Sequence, residues 1–309
     1  MRLVFWGSPD FAVPVLEALL ASSHQVVGAV SQPARPRGRG RGVARTAVTE
    51  RAGRAGLPVL TPEKPRGEPF LARLRALDAD VFMVAAYGEI LPPAVLEMPP
   101  RGALNVHASL LPAYRGAAPV TRALLEGREM TGVTIMRMEA GLDTGPICLQ
   151  SEEPVRPDDT AGSLAARLAE RGARLAVEAL DLLAEGRLVE TPQDDGAASL
   201  APKVEPGEAR LEWSRAGALL ERTARAFDPW PGAWTTWDGE RLKVYRLECV
   251  PAAGEGEPGE ILETDPAPVV QTGDGGVRLI LVQPPGGRRM SGADWARGRA
   301  VRPGQRLGG

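Results

Sequence analysis

The amino-acid sequence predicts an α/β protein: a doubly wound, mostly parallel sheet of the Rossmann type, followed by a small β-barrel domain of the OB type. Strand and helix signals alternate through the first half of the 309 residues, and this alternation favours parallel strands covered by helices on both faces. A polar stretch rich in proline and glycine then interrupts the alternation. Short strand segments separated by turns follow it, a spacing typical of a small barrel.

The first half contains the elements of the predicted sheet in chain order. Residues 2–6 are predicted as a buried strand and residues 10–20 as an amphipathic helix. Residues 80–86 form a near-continuous apolar run, as expected for a strand buried on both faces. The other predicted strands are 25–30, 57–60, 102–106 and 132–138, and the other predicted helices are 45–55, 69–77, 117–125 and 160–185.

The second half begins with the polar segment, which is predicted to be a linker. This assignment divides the chain into a first domain at 1–190, a linker at 191–206 and an OB-like domain at 207–309. A helix near 216–226 opens the last domain. The strands predicted after it are 232–237, 241–248, 259–262, 268–272 and 277–283.

Composition limits the class of protein. A hydrophobic content of 43% and a charged content of 25% are those of an ordinary soluble protein. The first residues lack the pattern of a signal peptide, and no apolar run approaches the ~20 residues of a membrane helix, so a cytoplasmic protein is expected. The two cysteines, Cys148 and Cys249, have no CxxC spacing, which argues against a disulfide framework or a zinc site.

Arginine is concentrated in two stretches, although the net charge is −2. Residues 32–47 contain five arginines and no acid, and residues 275–309 contain seven arginines and one acid, Asp294. Two such stretches suit a surface that binds a polyanion. The alternative, that both are solvated faces, stays open at this level.

The candidate catalytic residues lie at the end of one predicted strand and in one loop. Asn105 and His107 point to the same side of the strand, because side chains alternate with a period of two. An asparagine amide can donate to an oxyanion, and a histidine can transfer protons near neutral pH. Asp143 lies between Gly141 and Gly145, where the backbone can approach a ligand closely. A structural histidine and an ordinary turn aspartate are the alternatives.

Several segments resemble the 10-formyltetrahydrofolate-dependent formyltransferases. From end to end, the chain is similar to those members of the family that act on initiator methionyl-tRNA. The segments that carry the resemblance are FWGSPDFAVPVLEAL, QPARPRGRG, VAAYGEILPPAVLEMP, NVHASLLPAYRGAAP, GVTIMRMEAGLDTGPI, ARAFDPWPGAW and PGQRL.

The resemblance implies a reaction and a set of site residues. It implies transfer of the formyl group from 10-formyltetrahydrofolate, the co-substrate, to the α-amino group of initiator methionyl-tRNA, with no metal. It implies that Asn105, His107 and Asp143 are catalytic, in a formyltransferase domain followed by a tRNA-binding domain. The folate site is expected at Ser109, Leu110, Leu111 and Pro112. Together with the arginine-rich stretches, it predicts tRNA contacts at Arg37, Arg39, Arg41, Arg288 and Arg289.

Three other functions share parts of this pattern. A sugar-amine formyltransferase would use the same folate donor but has less need of two basic stretches. A tRNA-binding protein on a degenerate enzyme fold would not need Asn105, His107 and Asp143 together. A formyltetrahydrofolate hydrolase would use water as the acceptor and would need no second basic domain.

Overall fold

A computed structural model describes residues 1–37, 42–251 and 256–308 of the chain. These residues divide into two compact units. Unit 1 comprises Met1–Pro119, Met130–Pro154 and Ala165–Pro202, and unit 2 comprises Val120–Glu129, Val155–Leu164 and Lys203–Gly309. Within the described ranges, none of the helices has the length and apolar character needed to cross a membrane.

The strands and helices are numbered in chain order. The strands are β1 Arg2–Gly7, β2 Gln25–Val30, β3 Arg35–Arg37, β4 Gly42–Ala44, β5 Val59–Leu60, β6 Val81–Ala85, β7 Ala103–His107, β8 Arg115–Gly116, β9 Met130–Arg137, β10 Ile147–Pro154, β11 Leu200–Ala201, β12 Trp234–Trp237, β13 Glu240–Val250, β14 Ile261–Glu263, β15 Val269–Gln271, β16 Gly276–Gln283 and β17 Met290–Ser291. The helices are α1 Ala12–Ala21, α2 Ala47–Arg54, α3 Glu68–Arg75, α4 Pro93–Leu96, α5 Pro119–Leu125, α6 Ala161–Ala184, α7 Gly217–Ala226 and α8 Gly292–Gly298.

A seven-stranded sheet forms the centre of unit 1, in the order β10-β9-β7-β6-β1-β2-β5. The five strands from β7 to β5 are parallel, which confirms the predicted mostly parallel sheet. Strands β9 and β10 are antiparallel to their neighbours, with Leu104 of β7 opposite Arg137 of β9. The loop that follows β9 therefore leaves the sheet at the edge where β7 begins.

Helices cover this sheet on both faces. On one face, Leu74 of α3 and Val95 of α4 pack in a cluster with Trp6 and Val84. On the other face, α6 approaches β7 at Gly172, where an added Cβ would lie 2.6 Å from Cγ1 of Val106. Strand alternation places Val106 on the face opposite Asn105 and His107. The candidate residues thus lie on the face that α3 and α4 cover.

Residues 191–202, the first part of the predicted linker, are hydrogen-bonded within unit 1. The backbone of Thr191 exchanges two hydrogen bonds with that of Ile147, at 2.8 and 2.9 Å. Strand β11 pairs in parallel with β8. The last passage of the chain from unit 1 to unit 2 falls after Pro202, within the predicted linker at 191–206. The polar composition of this segment serves hydrogen bonds to the sheet unit as well as contacts with water.

An antiparallel sheet forms the core of unit 2, in the order β12-β13-β16-β15-β14, with β17 paired to β16. The end of the chain joins its two edges: Gly304 N–H donates to the Ile261 carbonyl at 2.8 Å, and Gly308 N–H donates to the Thr236 carbonyl at 3.0 Å. These bonds connect the two edge strands, β14 and β12, through one segment, as the predicted barrel requires. The PGQRL segment thus pairs with β14, and Gly308 directly after it supplies the bond to β12.

A buried carboxylate fastens α6 to β10 in unit 1. The Glu153 side chain is 8% exposed and accepts hydrogen bonds from Nε of Arg167 at 2.9 Å and Nε of Arg171 at 2.8 Å. Burial opposes ionisation of this carboxyl, but the hydrogen bonds and charges of the two arginines outweigh burial and lower its pKa below 4.5. The ionised form is therefore part of the folded structure.

We expect Glu153→Gln to lower the free energy of unfolding by about 2 kcal/mol at neutral pH, because it leaves two arginines without their shared anion. Because the pKa of Glu153 is lower in the folded than in the unfolded protein, its carboxylate stabilises the fold at pH values above the pKa of the unfolded state. This stabilisation is lost as the pH falls through the pKa of the folded state. The difference between wild type and variant should therefore shrink as the pH falls below the ordinary range of a carboxyl group. Urea unfolding at neutral and at acidic pH tests this. Glu68→Gln, which breaks an exposed pair with Arg75, should have a much smaller effect, and equal effects would contradict the prediction.

Candidate active site

Strand β7 places Asn105 and His107 two residues apart on one face of the sheet. Asn105 lies between Val84 of β6 and Met136 of β9, and His107 lies opposite Thr134 of β9. Asn105 is half-buried, and His107 is 5% exposed. Since β7 is parallel to β6, His107 stands at the carboxyl edge, where open α/β sheets bind their ligands.

The His107 imidazole is oriented by hydrogen bonding on one side and by a carboxylate on the other. Its Nε2 lies 2.9 Å from the carbonyl oxygen of Tyr114. A carbonyl can only accept a hydrogen bond, so the Nε2 atom carries a proton and donates it. Its Nδ1 lies 3.6 Å from Oδ2 of Asp143. The Nδ1 atom is therefore the position at which this ring can gain or lose a proton.

Asp143 is fixed in the loop between β9 and β10. Its backbone has φ = 50°, and its Oδ2 accepts a hydrogen bond from Gly116 N–H at 2.8 Å. Gly116 has φ = 122°, and an added Cβ would lie 2.7 Å from the Ala201 carbonyl oxygen, so only glycine fits this close approach. The loop leaves the sheet at the far end of β7 and returns to His107. The structure thus brings Asp143 to the residue pair on β7.

The Asn105 amide is available to a ligand. Its side chain makes no hydrogen bond to any residue in the described ranges, although it is half-buried. Asn105 is also the only asparagine among the 309 residues. A half-buried amide without a protein partner is suited to donate to a substrate oxygen.

Thr134 and Gln150 hold the segment Ser109–Pro112, the predicted folate site, against β9 and β10. The Thr134 hydroxyl donates to the Ser109 carbonyl at 2.7 Å and accepts from Leu111 N–H at 3.1 Å. Gln150 Nε2 donates to the Leu111 carbonyl at 2.8 Å. Ser109 and Leu111 are fully buried, whereas Leu110 and Pro112 are half-buried. In this segment, the side chains of Leu110 and Pro112 are therefore the ones that a ligand can contact.

Sequence reasoning missed a polar group behind Asp143. Gln193 Nε2 lies 2.8 Å from the Asp143 carbonyl oxygen, and the Arg115 guanidinium donates to Gln193 Oε1. Arg115 lies in the NVHASLLPAYRGAAP segment, whereas Gln193 lies in the segment that its composition assigns to a linker. The signal that could have found it is a glutamine followed by two acids in a stretch otherwise rich in small residues.

The five arginines predicted to contact tRNA differ in their structural environments. Arg39 and Arg41 lie outside the described residues, and Arg37 belongs to β3, where its backbone pairs with Gly42. Arg288 is exposed and has no ion pair among the described residues. Arg289 forms a two-point ion pair with Asp228, at 2.7 and 3.2 Å, and stacks on a tyrosine.

Acids from elsewhere in unit 2 neutralise much of the second arginine-rich stretch. The count of seven arginines against one acid considered only neighbours in sequence. Within the part of the chain that the structure describes, four of the seven lie within ion-pair distance of a carboxylate outside the stretch: Arg278, Arg289, Arg299 and Arg306. Arg297 pairs with Asp294, the acid that the count already includes. The positive field of this stretch is therefore weaker than the sequence count indicates.

Cys148 and the side chains that could bind a metal are the other candidates for a reactive group among the described residues. Burial, helped by the charge of Glu190, raises the pKa of the Cys148 thiol to about 11, so this thiol stays protonated at neutral pH. Among the residues in the described ranges, no three side chains of His, Cys, Asp or Glu are grouped so that they could hold a metal ion. The group of Asn105, His107 and Asp143 is the arrangement on which a reaction can be built.

Comparison with known proteins relates this chain to enzymes that transfer formyl groups. Residues 1–180 match the family described as Formyl transferase, and residues 203–300 match Formyl transferase, C-terminal domain. Methionyl-tRNA formyltransferases from Streptomyces griseus and Thermus thermophilus are 45% and 48% identical to it over 309 residues, covering all of this chain and 100% and 99% of theirs. HypX from Aquifex aeolicus in complex with tetrahydrofolic acid has a similar fold, with a TM-score of 0.63 and 19% identity over 96% of this chain and 47% of that one.

Proposed function

The chain belongs to the formyl transferase family, and we propose from this that it transfers the formyl group of 10-formyltetrahydrofolate to the α-amino group of initiator methionyl-tRNA. The observation that carries the proposal is identity of 45–48% over the whole length with enzymes of that name. The placement of Asn105, His107 and Asp143 at the carboxyl edge of the sheet supports it. The reaction belongs to the cytoplasm, where charged tRNA and reduced folates meet.

The reaction consists of three events, and the protein has to assist each of them. The substrate amine attacks the formyl carbon, the formyl oxygen becomes an oxyanion, and the bond to N10 of the folate then breaks. Asn105 donates its amide N–H to the oxyanion. The amine loses a proton, and His107 transfers this proton through Nδ1 to N10 of the folate. Asp143 orients the imidazole and balances its positive charge. The amine is available as a nucleophile because α-amino groups titrate near ~8.

Apolar side chains at the same sheet edge suit the ring system of a folate. Ile90 follows β6 and is 81% exposed, and Leu142 precedes Asp143 and is 58% exposed. Leu110 and Pro112 are half-buried on the loop after β7. Exposed large apolar side chains at a ligand-binding edge are typical of a site that packs on a flat ligand. We propose that the folate binds on this surface, with the side chains of Leu110 and Pro112 as the contacts from the segment Ser109–Pro112.

In unit 2, the outer face of β12 and β13 is the best candidate for RNA binding. We define it by Trp234, Arg241, Lys243 and Tyr245, together with Arg289, and call it the β12–β13 face. The Arg241 guanidinium lies 4.0 Å from the centre of the Trp234 ring, and that of Arg289 lies 3.5 Å from the centre of the Tyr245 ring. Cationic groups stacked on aromatic rings can bind phosphates and bases together. We propose that residues 207–309 contact tRNA through this face, with Arg288 beside it.

Arg241 is the arginine of this face with the most free charge. It is exposed and has no ion pair among the described residues, whereas Arg289 is paired with Asp228. If Arg241 contacts one phosphate, Arg241→Ala should reduce the slope of log affinity against log salt by about 1. Arg39→Ala, in the arginine-rich stretch at residues 32–47, is expected to have the same effect. Filter binding of tRNA at several salt concentrations measures both slopes. Arg128→Ala, which removes an arginine paired with Glu126, should leave the slope unchanged, and an equal change there would assign the effect to net charge.

Transfer of labelled formyl from 10-formyltetrahydrofolate tests the proposed function directly. Purified protein should formylate charged initiator tRNA faster than charged elongator tRNA, and it should not formylate uncharged tRNA. A sugar-amine substrate and water serve as competing acceptors in parallel reactions. Faster transfer to the sugar amine, or release of formate without acceptor, would replace the proposal with one of the two rival enzymes.

A further inference from the structure

We propose that Gln193, held by the buried Arg115, is a positioning residue that keeps Asp143 in place against His107. This inference rests on the proposed function and extends it to a segment that composition assigned to a linker. The loop between β9 and β10 has to cross from the edge of the sheet where β7 begins to the edge where β7 ends. Asp143 ends this path with a positive φ of 50°, a conformation that costs a non-glycine residue free energy unless its surroundings hold it.

Gln193 supplies two of the contacts that hold this conformation. Its Nε2 lies 2.8 Å from the carbonyl oxygen of Asp143 and 2.7 Å from that of Gly145. A side-chain amide has two N–H donors, so both are used. The two carbonyls belong to one turn and point at one atom. Loss of the amide would leave both carbonyls without this donor and release the turn.

Arg115 fixes the orientation of the Gln193 amide. Its Nε and Nη2 donate to Gln193 Oε1 at 3.0 and 2.8 Å. Arginine only donates and backbone carbonyls only accept, so one assignment of oxygen and nitrogen satisfies all four bonds. Arg115 itself is 7% exposed, and its Nη2 also pairs with Asp195 at 2.8 Å. The amide is therefore held rigidly.

The same short strand holds the carboxylate of Asp143. Gly116, the residue after Arg115, donates its N–H to Asp143 Oδ2 at 2.8 Å. Backbone and side chain of Asp143 are thus fixed from β8, directly through Gly116 and indirectly through Arg115 and Gln193. The distance of 3.6 Å between Asp143 and His107 Nδ1 depends on this arrangement. A shift of about 1 Å at a catalytic group can lower a rate by 10²-fold.

Replacing Gln193 by methionine tests the role, since methionine has a similar length and no hydrogen-bonding amide. Gln193→Met should lower kcat for formyl transfer by about 10- to 100-fold and change KM for folate and tRNA by less than about threefold. In an Asp143→Asn background, the same replacement should change kcat by less than about twofold, because its effect passes through Asp143. A merely structural glutamine would lower activity by the same factor in both backgrounds, and that result would overturn the proposal.

Two further variants complete the experiment. Gln193→Glu keeps an acceptor for Arg115 and so favours folding, but it places carboxylate oxygens against two carbonyls, and we expect at least as large a loss of kcat. Gln271→Met removes an amide that donates to a backbone carbonyl in unit 2 and should leave kcat unchanged. A folded Gln193→Glu variant with kcat within about threefold of wild type overturns the positioning role alone. A wild-type protein that transfers no formyl group to charged tRNA overturns the proposed function as well.

Discussion

Asp143→Asn is expected to lower kcat for formyl transfer by about 10³-fold, within the range of general acid–base catalysis. Asparagine has the size of aspartate, and its carbonyl oxygen can still accept from Gly116 N–H, as Asp143 Oδ2 does at 2.8 Å. The variant therefore keeps the loop but loses the negative charge that faces His107 Nδ1. Without that charge the imidazole has no anionic partner when it takes up a proton during the reaction.

The measurement is single-turnover formyl transfer together with tRNA affinity. Affinity should stay within about twofold of wild type, because the carboxylate acts on the transition state rather than on tRNA binding. His107→Gln, which keeps an N–H donor for the Tyr114 carbonyl, should lose activity to a similar extent. The two losses should not add up in the double variant, because the residues act as one unit.

The chain contains a matched control for this pair. His24 and Asp181 form a second histidine–aspartate contact in unit 1, with 3.1 Å between Nε2 and Oδ1. Asp181→Asn makes the same chemical change away from the β7 site and should leave kcat within about twofold of wild type. If Asp181→Asn and Asp143→Asn reduced kcat equally, the loss would reflect the stability of unit 1, and Asp143 would have no catalytic role.

Asn105→Ala is expected to lower kcat by about 10²–10³-fold, the usual effect of removing one oxyanion donor. The amide makes no hydrogen bond to the described part of the protein, so its removal leaves no broken contact within those residues. Stability should therefore change little, and KM for the folate should change less than kcat. Asn105→Asp should reduce kcat at least as strongly, because it places a negative charge where the oxyanion forms.

Thermal unfolding and steady-state kinetics on the same preparations separate these effects. A loss of kcat at unchanged melting temperature supports the role as donor. A large fall in melting temperature with a proportional loss of activity in both variants would make Asn105 a structural residue of β7.

Local patterns in the sequence were sufficient to predict the sheet and to place Asn105 and His107 on one face of β7. The apolar run at 80–86 predicted a buried central strand, and the structure has β6 at Val81–Ala85 between β1 and β7. The period of two placed Asn105 and His107 on one face, because side-chain alternation is a property of any strand and needs no knowledge of its neighbours. Motif resemblance then related these residues to formyl transfer.

Other features depend on residues far apart in the chain. Composition assigned 191–206 to a linker, yet Gln193 of this segment holds the loop of Asp143, 50 residues earlier. Counting charges along residues 275–309 predicted a strongly basic surface, whereas Asp228 and Glu240, outside that stretch, neutralise Arg289 and Arg299. A polar residue contributes equally to the composition of a segment whether it contacts water or a distant part of the chain. Composition therefore cannot distinguish a solvated segment from one that is hydrogen-bonded to the rest of the fold.

By itself, the sequence determined the fold class, the strand that carries Asn105 and His107, and the family to which the chain belongs. Resemblance grouped Asp143 with His107, and the tertiary structure alone decided how Asp143 reaches it. Since β9 runs antiparallel to β7, the loop after it starts at the wrong edge and must be turned back by Gly116 and Gln193. Strand alternation and helical periodicity arise from neighbouring residues and are therefore visible in the sequence. The return of this loop arises from packing and hydrogen bonds between segments distant in the chain, which exist only once the chain has folded.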